Sequence, residues 1–219
     1  MSVAAIFTEP YRLLGKIRLF LESMLAVFPA FRFFTKTRSD EYPITLKVWF
    51  RQKLLGNNAG AYWPMHPSSM VSYPQNVLIG KGVFPGYVPG CYIHAVNKVY
   101  IGDYTFIAPN VGIRSGNHDR QDLRIQTDNP PVRIGNYCWL GMNVAILPGI
   151  VLGDFTVVGA GAIVTKSFEE GYCVIGGNPA RVIRKLEKDQ CVRFEQDTHY
   201  IGYVPIEKFG EFRSKALNV

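Results

Sequence analysis

The stretch that decides the fold is "IGNYCWLGMNVAILPGIVLGDFTVVGAGAIV", residues 134–164. Cut into sixes it reads IGNYCW, LGMNVA, ILPGIV, LGDFTV and VGAGAI, and Val164 opens a further unit. The first position is always Ile, Leu or Val. The second is mostly Gly, and the fifth is usually small or aliphatic. Upstream, IGDYTF (101–106), IAPNVG (107–112) and IRSGNH (113–118) keep the same frame, and IGKGVF (79–84) is an earlier copy. A fixed short period is the signature of a solenoid. Each unit is a short strand and a turn. Its aliphatic first residue points inward, and Gly beside it permits unusual backbone angles or a close approach that a side chain would obstruct. Three units close a triangular coil, and stacked coils bury their faces only against one another. Stacking sets Ile101 near Ile134, so the core is a column of aliphatics. A doubly wound sheet needs helical segments between its strands, and none fits between residues 134 and 169.

Composition agrees with a packed protein. The 219 residues are 47% hydrophobic and 19% charged, which allows a sizeable core and excludes wholesale disorder. The net charge of +7 is concentrated in the first fifty residues and in 181–193, and favours anionic partners. No basic-aromatic, zinc-finger or basic-zipper pattern accompanies it, so nucleic acid is not an expected partner. Cys91, Cys138, Cys173 and Cys191 form no CxxC pair and read as reduced thiols of a cytoplasmic protein.

The repeat breaks once within its main run. Ile134 follows Ile113 by twenty-one positions, which is not a multiple of six. A unit out of register cannot stay in the wall, so about residues 117–131 leave the coil as an arm. Asp128, Asn129, Pro130 and Pro131 mark its return. The arm begins at "GNHD", with Asn117, His118 and Asp119.

The motifs "IGDYTFIAPNVGIRSGNHD", "CWLGMNVAILPGIVLGDFTVVGAGAIVTK" and "GGNPARVI" resemble the hexapeptide-repeat acyltransferases, the group containing galactoside and maltose acetyltransferases. The likeness is greatest to members that O-acetylate sugars in surface-polysaccharide assembly, and it spans about residues 63–187. The resemblance implies a mainly β fold, a left-handed parallel β-helix, assembled as a homotrimer. It implies a C-terminal helix after the "GGNP" turn, while the N-terminal helices are read from the residues themselves. It also implies acetyl-CoA as co-substrate, no metal, and a carbohydrate acceptor whose hydroxyl attacks the acetyl group directly. His118 matches the family's general base, a task suited to imidazole. Asn117 and Asp119 could orient the ring or touch the acceptor, and Asp119 could equally hold a local turn. His94, in "GCYIHAVN", falls near a position where relatives contact the acceptor, often with an amide. For the cofactor, Gly141 and Ala160 match lining positions and Trp139 matches a tryptophan that packs on it. Thr165 and Lys166 match the pair near the adenosine end, completed by Arg181 and Arg184. Met142 departs from a position that is often small and polar. Each site is expected between two subunits, His118 from one and Trp139 from the next, which a closed ring of heterologous contacts allows.

Three segments are expected: an N-terminal helical part (1–62), the β-helix (63–177) and a C-terminal helix and tail (178–219). In that last helix Ile183, Leu186 and Phe194 would make an apolar side. "VTK" is expected to end the last coil. Residues 43–56 read as a helix with Leu46, Trp49, Phe50 and Leu54 on one side and Gly56 as stop. Near the N-terminus Leu13, Ile17, Phe20, Leu21, Met24, Leu25 and Phe28 make one stripe at helical spacing. The preferred reading packs this stripe on the protein or a sister subunit. The other lays it in a membrane interface, with Arg12, Lys16 and Arg18 toward anionic headgroups, at the inner face of the membrane. Competing functions are an acetyltransferase acting on serine, an antibiotic or a free sugar, and a scaffold without catalysis. A zinc anhydrase on this coil needs paired imidazoles, which His66, His94, His118 and His199 do not offer.

Overall fold

The computed structural model describes the backbone from Val3 to Val219 and the side chains from Leu13 onward, so the side chain of Arg12 lies outside the described residues. The hexapeptides build a three-walled parallel β-helix. The first wall stacks Met70–Ser72, Tyr92–His94, Gly112–Arg114, Ala145–Ile146 and Ile163–Val164. The second stacks Val77–Ile79, Val99–Ile101, Val132–Ile134 and Val151–Leu152. The third stacks Phe106–Ile107, Trp139–Leu140, Thr156–Val158 and Cys173–Gly176, and Arg181–Lys185 adds itself antiparallel at the edge.

Register follows the aliphatic frame. Ile79, Ile101, Ile134 and Leu152 pair in sequence on the second wall, and Ile107, Leu140, Val158 and Ile175 on the third. Ile93, Ile113, Ile146 and Val164 form the column of the first. These residues are all buried, and so are the fifth-position residues Val83, Thr105, Val111, Cys138, Val144, Ile150, Thr156 and Ala162. Each unit therefore buries two side chains, the first and the fifth.

The second-position glycines serve close approach rather than turning. A Cβ on Gly135 would stand 2.6 Å from the Asp154 nitrogen, and one on Gly141 would stand 2.7 Å from the Ala160 nitrogen. The left-handed backbone sits two residues further on, at Tyr104, Asn110, Tyr137, Asn143, Gly149, Phe155 and Gly161. At one corner those side chains become a ladder: Tyr104, Tyr137, Phe155 and Tyr172 stack at centroid spacings of 5.5, 4.9 and 5.2 Å. Offset stacking of this kind contributes about 1 kcal/mol per pair, which offsets the unfavourable conformation. On the next residue inward, Asn136 Oδ1 accepts the Asp103 N–H and Asp154 Oδ1 accepts the Asn136 N–H, both at 2.8 Å, tying coil to coil.

Several expectations at the ends need correction. The coil does not finish at "VTK": Phe168 bridges to Leu152, and Cys173–Gly176 completes the third wall. Arg181–Lys185 is a strand rather than a helix, with Ile183 exposed, because it pairs with the open edge of the third wall. The C-terminal helix α4 comes later, at Ile206–Ala216, and packs Phe209 and Phe212 on Tyr62 beneath the first coil. Between strand and helix the tail runs along the aromatic ladder. Arg193 binds Asp154 at 2.8 Å and lies over the Tyr137 and Phe155 rings, and Phe194 packs on Tyr104 and Tyr137.

The N-terminal part consists of α1 (Val3–Leu25), α2 (Phe33–Lys36) and α3 (Leu46–Trp49), with a π-helical turn Phe50–Leu54 after α3. Thr45 caps α3 by accepting the Val48 N–H, and Gly56 stops the segment at φ +80. Phe33, Phe34, Ile44 and Tyr200 form a small second core that takes in Leu25, Leu46 and Trp49. Phe50 and Leu54 do not join it. The wider π turn shifts their phase and leaves both exposed. Buried Gln52 fixes the segment to the prism, donating to the Trp63 carbonyl at 2.8 Å and accepting from Tyr203 Oη at 2.7 Å.

Candidate functional site

The arm leaves the first wall after Arg114. Gly116 has the surface of Val96 so close that a Cβ would meet Val96 Cγ1. The arm then folds as a hairpin: Asn117 pairs with Thr127, and His118 pairs with Gln126. A loop was expected here; the ladder gives His118 a defined backbone, and its ring is exposed. Asp119 holds the hairpin turn. Its Oδ1 accepts the N–H groups of Gln121 and Asp122 at 2.8 and 2.9 Å, and these bonds hold the carboxyl below its ordinary pKa. The local-turn reading of Asp119 is met by these two bonds at Oδ1. Asp122 pairs with Arg124 at 2.8 Å.

At the foot of the arm the first wall carries His94 directly beside Arg114 in register. Burial lowers the His94 pKa, helped by the Arg114 guanidinium and by His118, so neutral imidazole is favoured there. The His94 Nδ1 and Arg114 Nε atoms are buried without a hydrogen-bond partner among the described residues. Arg114 was not singled out from sequence. Its signal was its place, one step past the inward Ile113 and immediately before the register break.

Continuing up the same wall, the strand register carries the line from Arg114 past Leu147 to Thr165, in rungs about 4.8 Å apart. Thr165 and Lys166 are exposed at its upper end. Gly141 and Ala160 lie at the corner joining the third wall to the first, in contact through their backbones. Arg181 pairs with Gly176 at that corner, and Arg184 pairs with Val174 on the third wall; both are exposed. Trp139 belongs to the third wall, aligned with Phe106 and Val157, and is 55% exposed. It borders a hollow lined also by Glu41, Tyr42, Val88, Phe106 and Pro109. Tyr42, which the sequence did not point to, has its hydroxyl pKa pushed up to about 12, chiefly by burial and then by Glu41. Within one chain, then, His94, Arg114, Thr165 and Lys166 fall along the line of one wall, and His118 stands on the arm that leaves it. Trp139 stands on another.

A triangular prism of hexapeptides with one histidine-bearing arm defines a hexapeptide-repeat acyltransferase. The comparisons with known proteins agree: residues 131–166 match the family described as bacterial transferase hexapeptide (six repeats), and the chain belongs to that family. It is 32% identical over 145 residues to an Escherichia coli K12 protein named as the colanic acid biosynthesis acetyltransferase WcaF, covering 65% of this chain and 78% of that one. It is 36% identical to the galactoside O-acetyltransferase of the same organism, covering 67% of this chain and 66% of that one. Among solved structures, galactoside acetyltransferase in complex with coenzyme A is similar with a TM-score of 0.53 and 34% identity, covering 62% of this chain and 68% of that chain. A maltose O-acetyltransferase from Clostridium difficile 630 gives 0.50 and 38%, covering 55% and 64%.

Proposed function

We propose that the protein transfers the acetyl group of acetyl-CoA to a sugar hydroxyl, in the assembly of a surface polysaccharide in the cytoplasm. His118 is the general base. The observation that carries the reading is an exposed imidazole set on a short hairpin outside the prism, on an arm that leaves a wall where His94 Nδ1 and Arg114 Nε are buried without a partner among the described residues. His118 Nε2 or Nδ1 takes the proton of the acceptor hydroxyl as its oxygen attacks the thioester carbonyl. The tetrahedral centre then collapses, expelling the coenzyme A thiolate, and the imidazolium returns the proton to sulfur. No acyl-enzyme forms. His94 and Asn117 contact the acceptor. Cofactor binding falls to Gly141, Ala160 and Arg181 at the corner between the third and first walls and to Thr165 and Lys166 at the end of the first, with Arg184 on the third wall. Lys166 and the arginines meet phosphate as cations.

Trp139 lies on a different wall from the one that the arm of His118 leaves, which supports a site shared between neighbours in a homotrimer. The relatives named as sugar O-acetyltransferases support the acceptor class. A glycan carried on a lipid would be met at the membrane surface, which the second sequence reading of the N-terminal stripe allows. The test is purified turnover with acetyl-CoA and a panel of sugars, serine and antibiotics. His118→Ala should lower kcat/KM by about 10²–10⁴ with the melting temperature held. Turnover unaffected by that change removes His118 as the base.

A further inference from the structure

Helix α1 packs on the rest of the chain by the wrong side for an ordinary amphipathic helix. Leu13, Leu14, Ile17, Phe20, Leu21 and Met24 fall within about 120° of the helical wheel, and all are exposed, Leu14 at 62% and Phe20 at 64%. The side turned inward carries Glu22, 2% exposed, whose Oε1 accepts the Leu46 N–H at 2.8 Å with Arg18 Nε 3.5 Å away. Glu22 is the only acid between Leu13 and Phe28, so the outward face shows no negative charge. Lys16 and Arg18 flank the apolar stripe on its two sides. The surface continues: an apolar groove joins Leu14, Ile17 and Leu21 to Leu46 and Phe50, rimmed by Arg18, Lys47 and Arg51. Leu54 and Leu55 extend it, each 61% exposed. Among the described residues no helix is long and apolar enough to cross a membrane.

We propose that this face is a membrane-docking surface for anionic lipid, with α1 lying in the plane of the interface. The choice of occupant rests on charge. A second copy of the chain would bring its own Lys and Arg against these. A bilayer with anionic headgroups meets the basic flanks while its acyl chains take Leu13, Ile17, Phe20 and Met24. The inference stands apart from the acetyl-transfer reading, and its test does not use activity.

The full chain is sedimented with phosphatidylcholine vesicles and with vesicles containing 30% phosphatidylserine, at low and high salt. The expected result is binding to the anionic vesicles, weakened by salt, and little to the neutral ones. Each basic residue near such a surface is worth about fivefold in partitioning. The triple change Lys16→Gln, Lys47→Gln, Arg51→Gln should therefore cost about a hundredfold on anionic vesicles. Phe20→Asp with Met24→Asp should abolish binding, and because both side chains are exposed the melting temperature should hold. No binding to anionic vesicles, or equal binding to neutral ones, overturns the proposal. So does a change of oligomeric state in the Phe20→Asp, Met24→Asp variant by analytical ultracentrifugation, since a sister subunit then covers the face.

Discussion

Replacing Gly135 by Ala tests why the second position of the repeat is glycine. Its φ is not left-handed, so strain in the backbone is not the issue. The new methyl carbon would stand 2.6 Å from the Asp154 nitrogen and 2.7 Å from the Gly153 carbonyl carbon. Both are backbone atoms of the next coil. They cannot swing aside, because Gly135 N–H donates to Leu152 O at 2.8 Å and Asn136 N–H to Asp154 Oδ1 at 2.8 Å across the same gap. Relief means opening the spacing between two coils. Overpacking of this sort costs about 1–3 kcal/mol, and weakening inter-coil hydrogen bonds adds about 1 kcal/mol. A total near 3 kcal/mol lowers the melting temperature of a chain this size by about 6–12 °C. Gly161→Ala is the comparison: φ is +72 and nothing lies within 4 Å, so only the left-handed penalty of about 1–2 kcal/mol applies. Circular dichroism melts at equal protomer concentration and scan rate read the difference. Gly135→Ala melting within 2 °C of the parent, or no lower than Gly161→Ala, refutes close approach as the reason.

Other expectations follow from the ladder, the thiols and the exposed ring of Trp139. Arg193→Ala removes an ion pair and two cation–π contacts at the partly exposed corner, and should lower the midpoint of chemical unfolding. Burial raises the Asp154 carboxyl, but Arg193 and the Asn136 N–H outweigh it and hold the pKa below its ordinary value. Stability from Asp154 is thus present above about pH 4 and lost as pH falls through the depressed value. The Arg193→Ala protein should lose less over that acid range, and an identical acid profile contradicts the pairing. Cys191 should react with a thiol reagent in the native protein well ahead of Cys91, Cys138 and Cys173, which are buried, and Cys138 is pushed up to about 12 by burial. Simultaneous modification of all four speaks against the packed core. Trp139→Ala should raise the KM for acetyl-CoA several-fold with the fold intact, because the ring is exposed on the third wall; an unchanged KM removes Trp139 from the cofactor site.

The prism was legible because its signal is redundant. Ile101, Ile134 and Leu152 pair as the six-residue frame demands, and a single mistaken unit would have spoiled all three walls. The arm was legible as a break in that frame. Its hairpin was not, since Asn117–His118 and Gln126–Thr127 are too short to show a strand period. The tail failed for a related reason. Arg181–Lys185 becomes a strand because an open edge is waiting beside it, a tertiary cause invisible in "RVIRK". The stripe on α1 was found correctly, but periodicity cannot say which way a face points. Its packing on the rest of the chain did not occur: only Leu25 of the stripe joins the small core. His94 and His118 could be named from sequence, whereas Arg114 needed the register that sets it beside His94.

The hairpin leaves and rejoins a lattice already closed beneath it. Ile101 bonds straight across to Ile134, and Lys98 O receives the Val132 N–H, as if residues 116–131 were not there. The arm is thus a cassette, whose length and chemistry can drift without taxing the architecture that carries it. A chimera that takes another arm between Ser115 and Val132 should therefore keep the host's thermal behaviour.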